Sequence, residues 1–162
     1  MDVINVHKRI IEKPIIDIAR LLNTLATEND MMLATDRWPR MRLDKGLQVG
    51  SKGGHGLIKY FVTEYVHEKS ITFQFDMKGL YGYHKYSLIE LGSYKTELSH
   101  TLEITTTGSA TLRWAIAIRW LHDAYIEDAF DKVEDYFKKD KRSINWNLYV
   151  RILRKVMKFH RK

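Results

Sequence analysis

The sequence predicts an α+β domain in which a curved antiparallel sheet closes around one long helix near the C-terminus. Three observations carry that prediction. Between Leu57 and Thr107, segments rich in β-branched and aromatic residues follow one another across short, glycine-marked connections, which makes an antiparallel meander. From Thr111 to Lys138, Leu112, Ala115, Ile118, His122, Ile126, Ala129, Val133 and Phe137 share one stripe at roughly 100° per residue. Strands therefore cluster and helices stand apart, so an apolar helix face this regular is expected to lie on the sheet.

Val3–Glu12 alternates as a first strand, with Val3, Asn5, His7 and Arg9 on one side and Ile4, Val6, Lys8 and Ile10 on the other. Lys13-Pro14 ends it, and proline suits the first turn of a helix carrying Ile15, Ile18, Leu21, Leu22 and Leu25. Thr27 with Asp30 three residues on resembles a capping box and predicts a second short helix through about Leu33. The aperiodic stretch Ala34–Asp44 carries Arg37, Trp38, Pro39, Arg40 and Arg42. Leu47–Gly50 reads as a short strand, and Met41–Gly50 is where a seventh strand would hide.

Ser51-Lys52-Gly53-Gly54-His55-Gly56 reads as a hairpin turn. It lacks the Gly-Lys-Ser/Thr ending and the following helix of a phosphate-binding loop. Strands are then expected over Leu57–Val66, Ser70–Asp76, Tyr83–Leu91 and Thr96–Thr107. Phe73 and Phe75 share a face with Ile71, and His100 shares one with Leu98, Leu102 and Ile104. After a charged break at Lys138–Ser143, Ile144–His160 predicts a last helix. Trp146, Tyr149, Val150, Leu153, Val156 and Met157 lie on one side of it, and Arg151, Arg154, Lys155, Lys158 and Arg161 around the other.

The 162 residues fit one ordinary domain, 1–140, followed by a basic amphipathic helix, 141–162. No run reaches the ~18–20 apolar residues of a membrane span. Charges arrive too early for a secretory signal, so a cytoplasmic location is expected. The absence of cysteine excludes disulfides and thiolate metal sites. The net charge of +7 belongs to the tail, where ten Lys or Arg face one acid from Lys138 onward. The preceding body holds 17 basic and 19 acidic residues, so nucleic acid is not an expected partner. The tail pattern suits an anionic membrane surface, a protein groove or a twin subunit in a homodimer.

The order of elements, together with Lys13-Pro14-Ile15-Ile16-Asp17-Ile18, Trp38-Pro39, Gly53-Gly54-His55-Gly56, Gly82-Tyr83-His84 and Trp120–Asp128, resembles the START-related, polyketide-cyclase-like superfamily in an uncharacterised bacterial branch. The resemblance covers about Val3–Lys138. It implies a helix-grip fold with a cavity between sheet and helix that receives a hydrophobic or amphipathic small molecule. It does not imply catalysis, because one fold hosts carriers and enzymes.

Candidate chemistry centres on His122, in the middle of the helix stripe. Buried imidazoles need partners, and a neighbouring carboxylate such as Asp123 would make His122 a general base for a cyclase or dehydratase. As a binding site, Phe73, Phe75, Tyr86 and Ile118 would line the cavity, with His84, His100, Arg119 and His122 orienting a polar end. Trp38 would serve as a lid over the mouth or as a plug. A metal held by His84, His100 and His122 is conceivable. The sequence shows no local metal signature, however, and neither a metal nor a cofactor is expected.

Overall fold

The computed structural model describes residues 1–138 and 146–159. Strand β1 (Asp2–Ile11) leads to helix α1 (Ile15–Leu22), then to β2 (Met41–Leu43), β3 (Lys52–His55), β4 (Ile58–Val66), β5 (Ser70–Phe75), β6 (Leu80–Gly92) and β7 (Lys95–Thr106). The long helix follows as α2 (Ser109–Arg113), a π-helical turn (Trp114–Ile118) and α3 (Arg119–Lys138), and α4 (Leu148–Phe159) comes last. The seven strands form one antiparallel sheet in the order β1-β7-β6-β5-β4-β3-β2. That is the curved sheet and long helix expected from the sequence. Among the described residues, no helix is long and apolar enough to cross a membrane.

Three expectations need correction. Residues 27–33 form turns, not a helix. The Asp30 carboxylate accepts backbone N–H bonds from Ala26, Met32 and Leu33, and Thr24 Oγ1 accepts one from Met31. Side-chain acceptors that capture these donors hold the chain in a loop. The glycine-rich string is itself the strand β3, and the seventh strand is β2, whereas Leu47–Gly50 is not a strand. Gly53 and Gly54 are required because a Cβ there would meet Arg42 O and Ile58 O within 2 Å, so absent side chains let three backbones crowd together. The boundary proposed near residue 140 and the charged break fall outside the described residues.

The third correction concerns the long helix. Leu112 is 62% exposed and Ala115 is exposed, while Trp114 is buried. A π-helical turn is a one-residue insertion in an α-helix. It therefore rotates everything before Ile118, so that Trp114 takes the place meant for Ala115 and Thr111 that meant for Leu112. Thr111 then reaches Thr106 on β7, with hydroxyl oxygens 3.0 Å apart. Beyond the turn the predicted stripe holds, with Ile126, Ala129 and Val133 fully buried.

The main core lies between the sheet and α1/α3 and includes Ile18, Leu22, Leu25, Tyr60, Ile71, Phe73, Leu98 and Phe130. A smaller cluster of Leu80, Leu102, Ile104 and Trp114 packs at the π-turn end. Helix α4 folds back through buried Val150, and Trp146, two residues before it, packs against the main core. Its Leu148, Ile152 and Val156 are exposed.

Gly82, beside His84 on β6, is another close approach of backbones. Its φ is +131°, and a Cβ would lie 2.1 Å from Glu103 O and 2.7 Å from Ile104 Cα. Gly46 shares a positive φ but faces open space. Gly46→Ala should cost about 1 kcal/mol, the backbone penalty alone. Gly82→Ala should cost several-fold more, because strand β7 must also move. Equal urea midpoints for the two variants would contradict this.

Candidate functional site

The register of the sheet gathers the polar residues of its inner face. His7 on β1 faces His100 on β7, which faces Tyr86 on β6, which faces Ile71 on β5. The next row runs Asn5, Leu102, His84, Phe73, Val62. His84 and His100 are thus diagonal neighbours, within reach across strands, and His84 Nδ1 lies 3.2 Å from His100 Nε2. Aromatic rings pack around them. Phe73 stacks on His84 at 4.7 Å between centroids, Tyr60 meets its edge at 4.9 Å, and Tyr86 lies 4.6 Å from His100.

Helix α3 brings the fourth side of this enclosure. His122 projects toward the sheet, with its ring 5.1 Å from His100 and 6.0 Å from both His7 and Trp114. Asp123 Oδ1 lies 3.7 Å from His122 Nδ1, too long for a hydrogen bond, and 3.2 Å from His7 Nε2. Asn5 Nδ2 donates to the same oxygen at 3.0 Å. At the other end of the enclosure, His55 Nδ1 lies 2.9 Å from Tyr60 Oη, and the His55 ring stacks on Tyr125 at 5.1 Å.

Several polar atoms in this enclosure are buried without a hydrogen-bonding partner. They are His84 Nε2, Tyr86 Oη, His100 Nδ1, both ring nitrogens of His122 and Tyr125 Oη. Buried polar groups are ordinarily paired, and each unpaired one costs ~1–3 kcal/mol. Burial sets their protonation. It pushes the Tyr60, Tyr86 and Tyr125 hydroxyls up, so they stay neutral. It pushes the His84, His100 and His122 imidazoles down, and His55 down to about 4. At the rim the signs reverse. Asp123 and Glu127 hold His7 up, and the Asp123 carboxyl, though burial opposes its charge, is held low by His122, His7 and Asn5.

A groove of about 530 Å³ opens beside the His55 end, lined by Thr35, Trp38, Pro39, Arg40, Arg42, Gly53, Gly54, Gly56 and Lys59. Trp38 separates it from the enclosure, packing edge-on against Tyr125 at 5.7 Å. Its Nε1 donates to Asp128 Oδ2 at 2.7 Å, as does Trp146 Nε1 at 3.0 Å. The Arg154 guanidinium lies over both indoles, 4.1 and 3.8 Å from their centroids. Trp38 is thus buried between the groove and Tyr125, the place from which either a lid or a plug would act.

This geometry is that of a known architecture. The fold is the helix-grip fold. Norcoclaurine synthase from Thalictrum flavum, solved in complex with dopamine and hydroxybenzaldehyde, superposes with a TM-score of 0.64 at 11% identity, covering 88% of this chain and 90% of that one. A conserved protein of unknown function from Enterococcus faecalis gives 0.63 at 14% identity, covering 99% and 85%. CalU16 from Micromonospora echinospora gives 0.58 at 14%, covering 94% and 81%. No protein-family model and no curated protein matches the sequence.

Of the residues singled out from the sequence, Phe73, Phe75, His84, Tyr86, His100 and His122 meet in the enclosure, with Asp123 at its edge. Trp38 meets it through the ring of Tyr125. Ile118 packs in the smaller cluster. Arg119 does not reach it: the side chain is exposed, with its guanidinium 4.7 Å over the Trp120 ring. One residue past the π-helical turn, Arg119 lies on the flank of the helix facing water. His7, His55, Tyr60 and Tyr125 were not singled out as site residues. For His7 the signal was the alternation of β1, which puts Asn5, His7 and Arg9 on one face. His55 was hidden by its glycine neighbours.

The depressed imidazoles imply an acid-labile fold. Above pH 6.5 an unfolded histidine and a buried one are both neutral, and folding carries no protonation penalty. As pH falls below 6.5 the unfolded chain takes up the proton first, so stability declines until the folded-state pKa is passed. For His55 that window runs from 6.5 to about 4, at a slope of ~1.4 kcal/mol per pH unit, and His84 adds to it in the same direction. The melting temperature should fall steadily across this window, and less steeply in His84→Phe. A level profile from pH 7 to 4 would refute neutral buried imidazoles.

Proposed function

We propose that this protein is a START-related, polyketide-cyclase-like ligand binder, taking a hydrophobic or amphipathic small molecule with an aromatic body and a polar end between the sheet and α3. The observation that carries the reading is the cluster of buried polar atoms without partners on His84, Tyr86, His100, His122 and Tyr125, set among the rings of Phe73, Tyr60 and Trp114. Apolar walls with a few convergent polar groups are the ordinary make-up of a small-molecule site. Neutral imidazoles and phenols offer both donors and acceptors, which suits hydroxyl and carbonyl groups better than ions. The groove bounded by Trp38, Arg40, Arg42 and Lys59 would be the entrance, with rotation of Trp38 and Tyr125 opening it. The dopamine and hydroxybenzaldehyde held by norcoclaurine synthase in this fold are aromatic molecules of that class.

A second reading is favoured by one contact. His122 is neutral and adjacent to an ionised Asp123. That arrangement suits a general base acting beside a ligand carbonyl, as in a cyclase or dehydratase.

Native mass spectrometry of the purified protein should reveal a co-purifying small molecule. The neutral, apolar fluorescent dye Nile red should bind the native fold. Tyr86→Phe, which removes one polar atom and little volume, should weaken a hydroxylated ligand about tenfold, or ~1.4 kcal/mol. A bare mass, no probe binding and no effect of Tyr86→Phe would together dispose of the binding reading. His122→Ala divides the two readings: a carrier keeps its ligand with altered affinity, and an enzyme loses most turnover.

A further inference from the structure

At the edge where β1 meets α3, three side chains of ligand type come together. His7, His122 and Asp123 each offer one ligand atom, and those atoms all lie within 4.8 Å of one another. We infer that they form a binding site for one divalent transition metal of the zinc, cobalt or ferrous class, with two imidazoles and one carboxylate as protein ligands.

The distances support this. Tetrahedral zinc with bonds of ~2.0–2.1 Å sets its ligand atoms about 3.3 Å apart. His7 Nε2 and Asp123 Oδ1 are 3.2 Å apart, and His122 Nδ1 and Asp123 Oδ1 are 3.7 Å apart. The third edge, between the His7 and His122 nitrogens, lies within 4.8 Å, so closing the set takes a rotation of the imidazoles toward the carboxylate.

Two further observations point to a metal instead of a simple ion pair. The first is the outer support. A metal-ligating histidine usually donates its second ring N–H to a carboxylate, which fixes the tautomer and the ring. His7 does so: its Nδ1 lies 2.6 Å from Glu127 Oε1, leaving Nε2 for the metal. Asn5 Nδ2 holds Asp123 Oδ1 at 3.0 Å. The second is His122. A pairing of His7 with Asp123 and Glu127 satisfies those three groups, yet leaves both nitrogens of the buried His122 ring without a partner. A cation bound at Nδ1 would satisfy one of them.

Nitrogen ligands disfavour magnesium and calcium, which prefer oxygen. Two histidines and a carboxylate, with positions left open, suit zinc or non-haem iron. His100, whose ring lies 5.1 Å from that of His122, is the neighbour through which the site would meet the enclosure. The inference does not depend on the small-molecule reading, since the three ligands and their supports stand on β1 and α3 alone.

The test is titration of the untagged, chelator-stripped full chain with Co²⁺ and Zn²⁺, followed by Co²⁺ visible absorption and by calorimetry. One equivalent should bind, with the ligand-field bands of a nitrogen–oxygen site. His122→Ala and Asp123→Asn should each weaken binding at least tenfold. His67→Ala, removing an exposed imidazole at the turn between β4 and β5, should bind as the unaltered protein does. Circular dichroism verifies that each variant is folded; where His122→Ala is not, His7→Gln on the sheet edge carries the same comparison. Absence of one-equivalent binding at micromolar metal overturns the inference, as does binding undiminished in Asp123→Asn and His7→Gln.

Discussion

The placement of the long helix depends on a polar zipper between the edge strand and α3. Alternate residues of a strand stand ~6.7 Å apart, and residues four apart on a helix stand ~6 Å apart. The two rows can therefore run in step for a few residues. Asn5 and His7 bond Asp123, His7 and Arg9 bond Glu127, and Arg9 continues to Asp131 and Glu134. The middle of the inward face of β1 is consequently polar, with Val3 and buried Ile11 packing at its two ends, while Ile4, Val6 and Ile10 face out. Exposed ion pairs contribute little singly. Here the value is directional: a network at fixed spacings sets the rotation and height of α3, and with them where His122 points.

That rotation is corrected once more at the π-helical turn. An uninterrupted α-helix from Ser109 would point Leu112 and Ala115 at the sheet, leaving Trp114 in water. The inserted residue turns Trp114 inward against Leu80, Leu102 and Ile104, and from there it backs the His122 ring. Inserted turns of this kind recur at functional sites because they re-aim side chains without ending the helix. The result is a helix addressed to two surfaces: a polar edge at β1 and an aromatic, imidazole-bearing face over β5–β7.

The period of each segment made the sheet and the helix legible in the sequence. Strands β4 to β7 and α3 show it clearly, and their predicted inner faces hold His84, His100 and His122 as observed. What escaped was set by contacts that have no period. The 27–33 segment carries a cap-like Thr and Asp, but Asp30 spends its acceptors on Ala26, Met32 and Leu33, and the helix does not form. The Gly53-Gly54 pair has the composition of a turn, yet its role is to let β2 and β4 approach β3 where a Cβ would collide. The polar partners of β1 stand on the helix in the sequence as Asp123, Glu127 and Glu134, at the border of the stripe. Only the three-dimensional register shows them to be one ladder with Asn5, His7 and Arg9.

The interior chemistry runs against stability. A close-packed aliphatic interior would satisfy every atom it contained, whereas the space under α3 holds phenols and imidazoles with unpaired donors and acceptors. The surrounding fold offsets this with fully buried Phe73, Ile71, Leu98, Leu22 and Phe130 and with the latch of Trp38 and Trp146 on Asp128. Anything that hydrogen-bonds those atoms in the folded state and not in the unfolded chain stabilises the protein by mass action. A guest suited to neutral imidazoles and phenols therefore gains affinity from these groups.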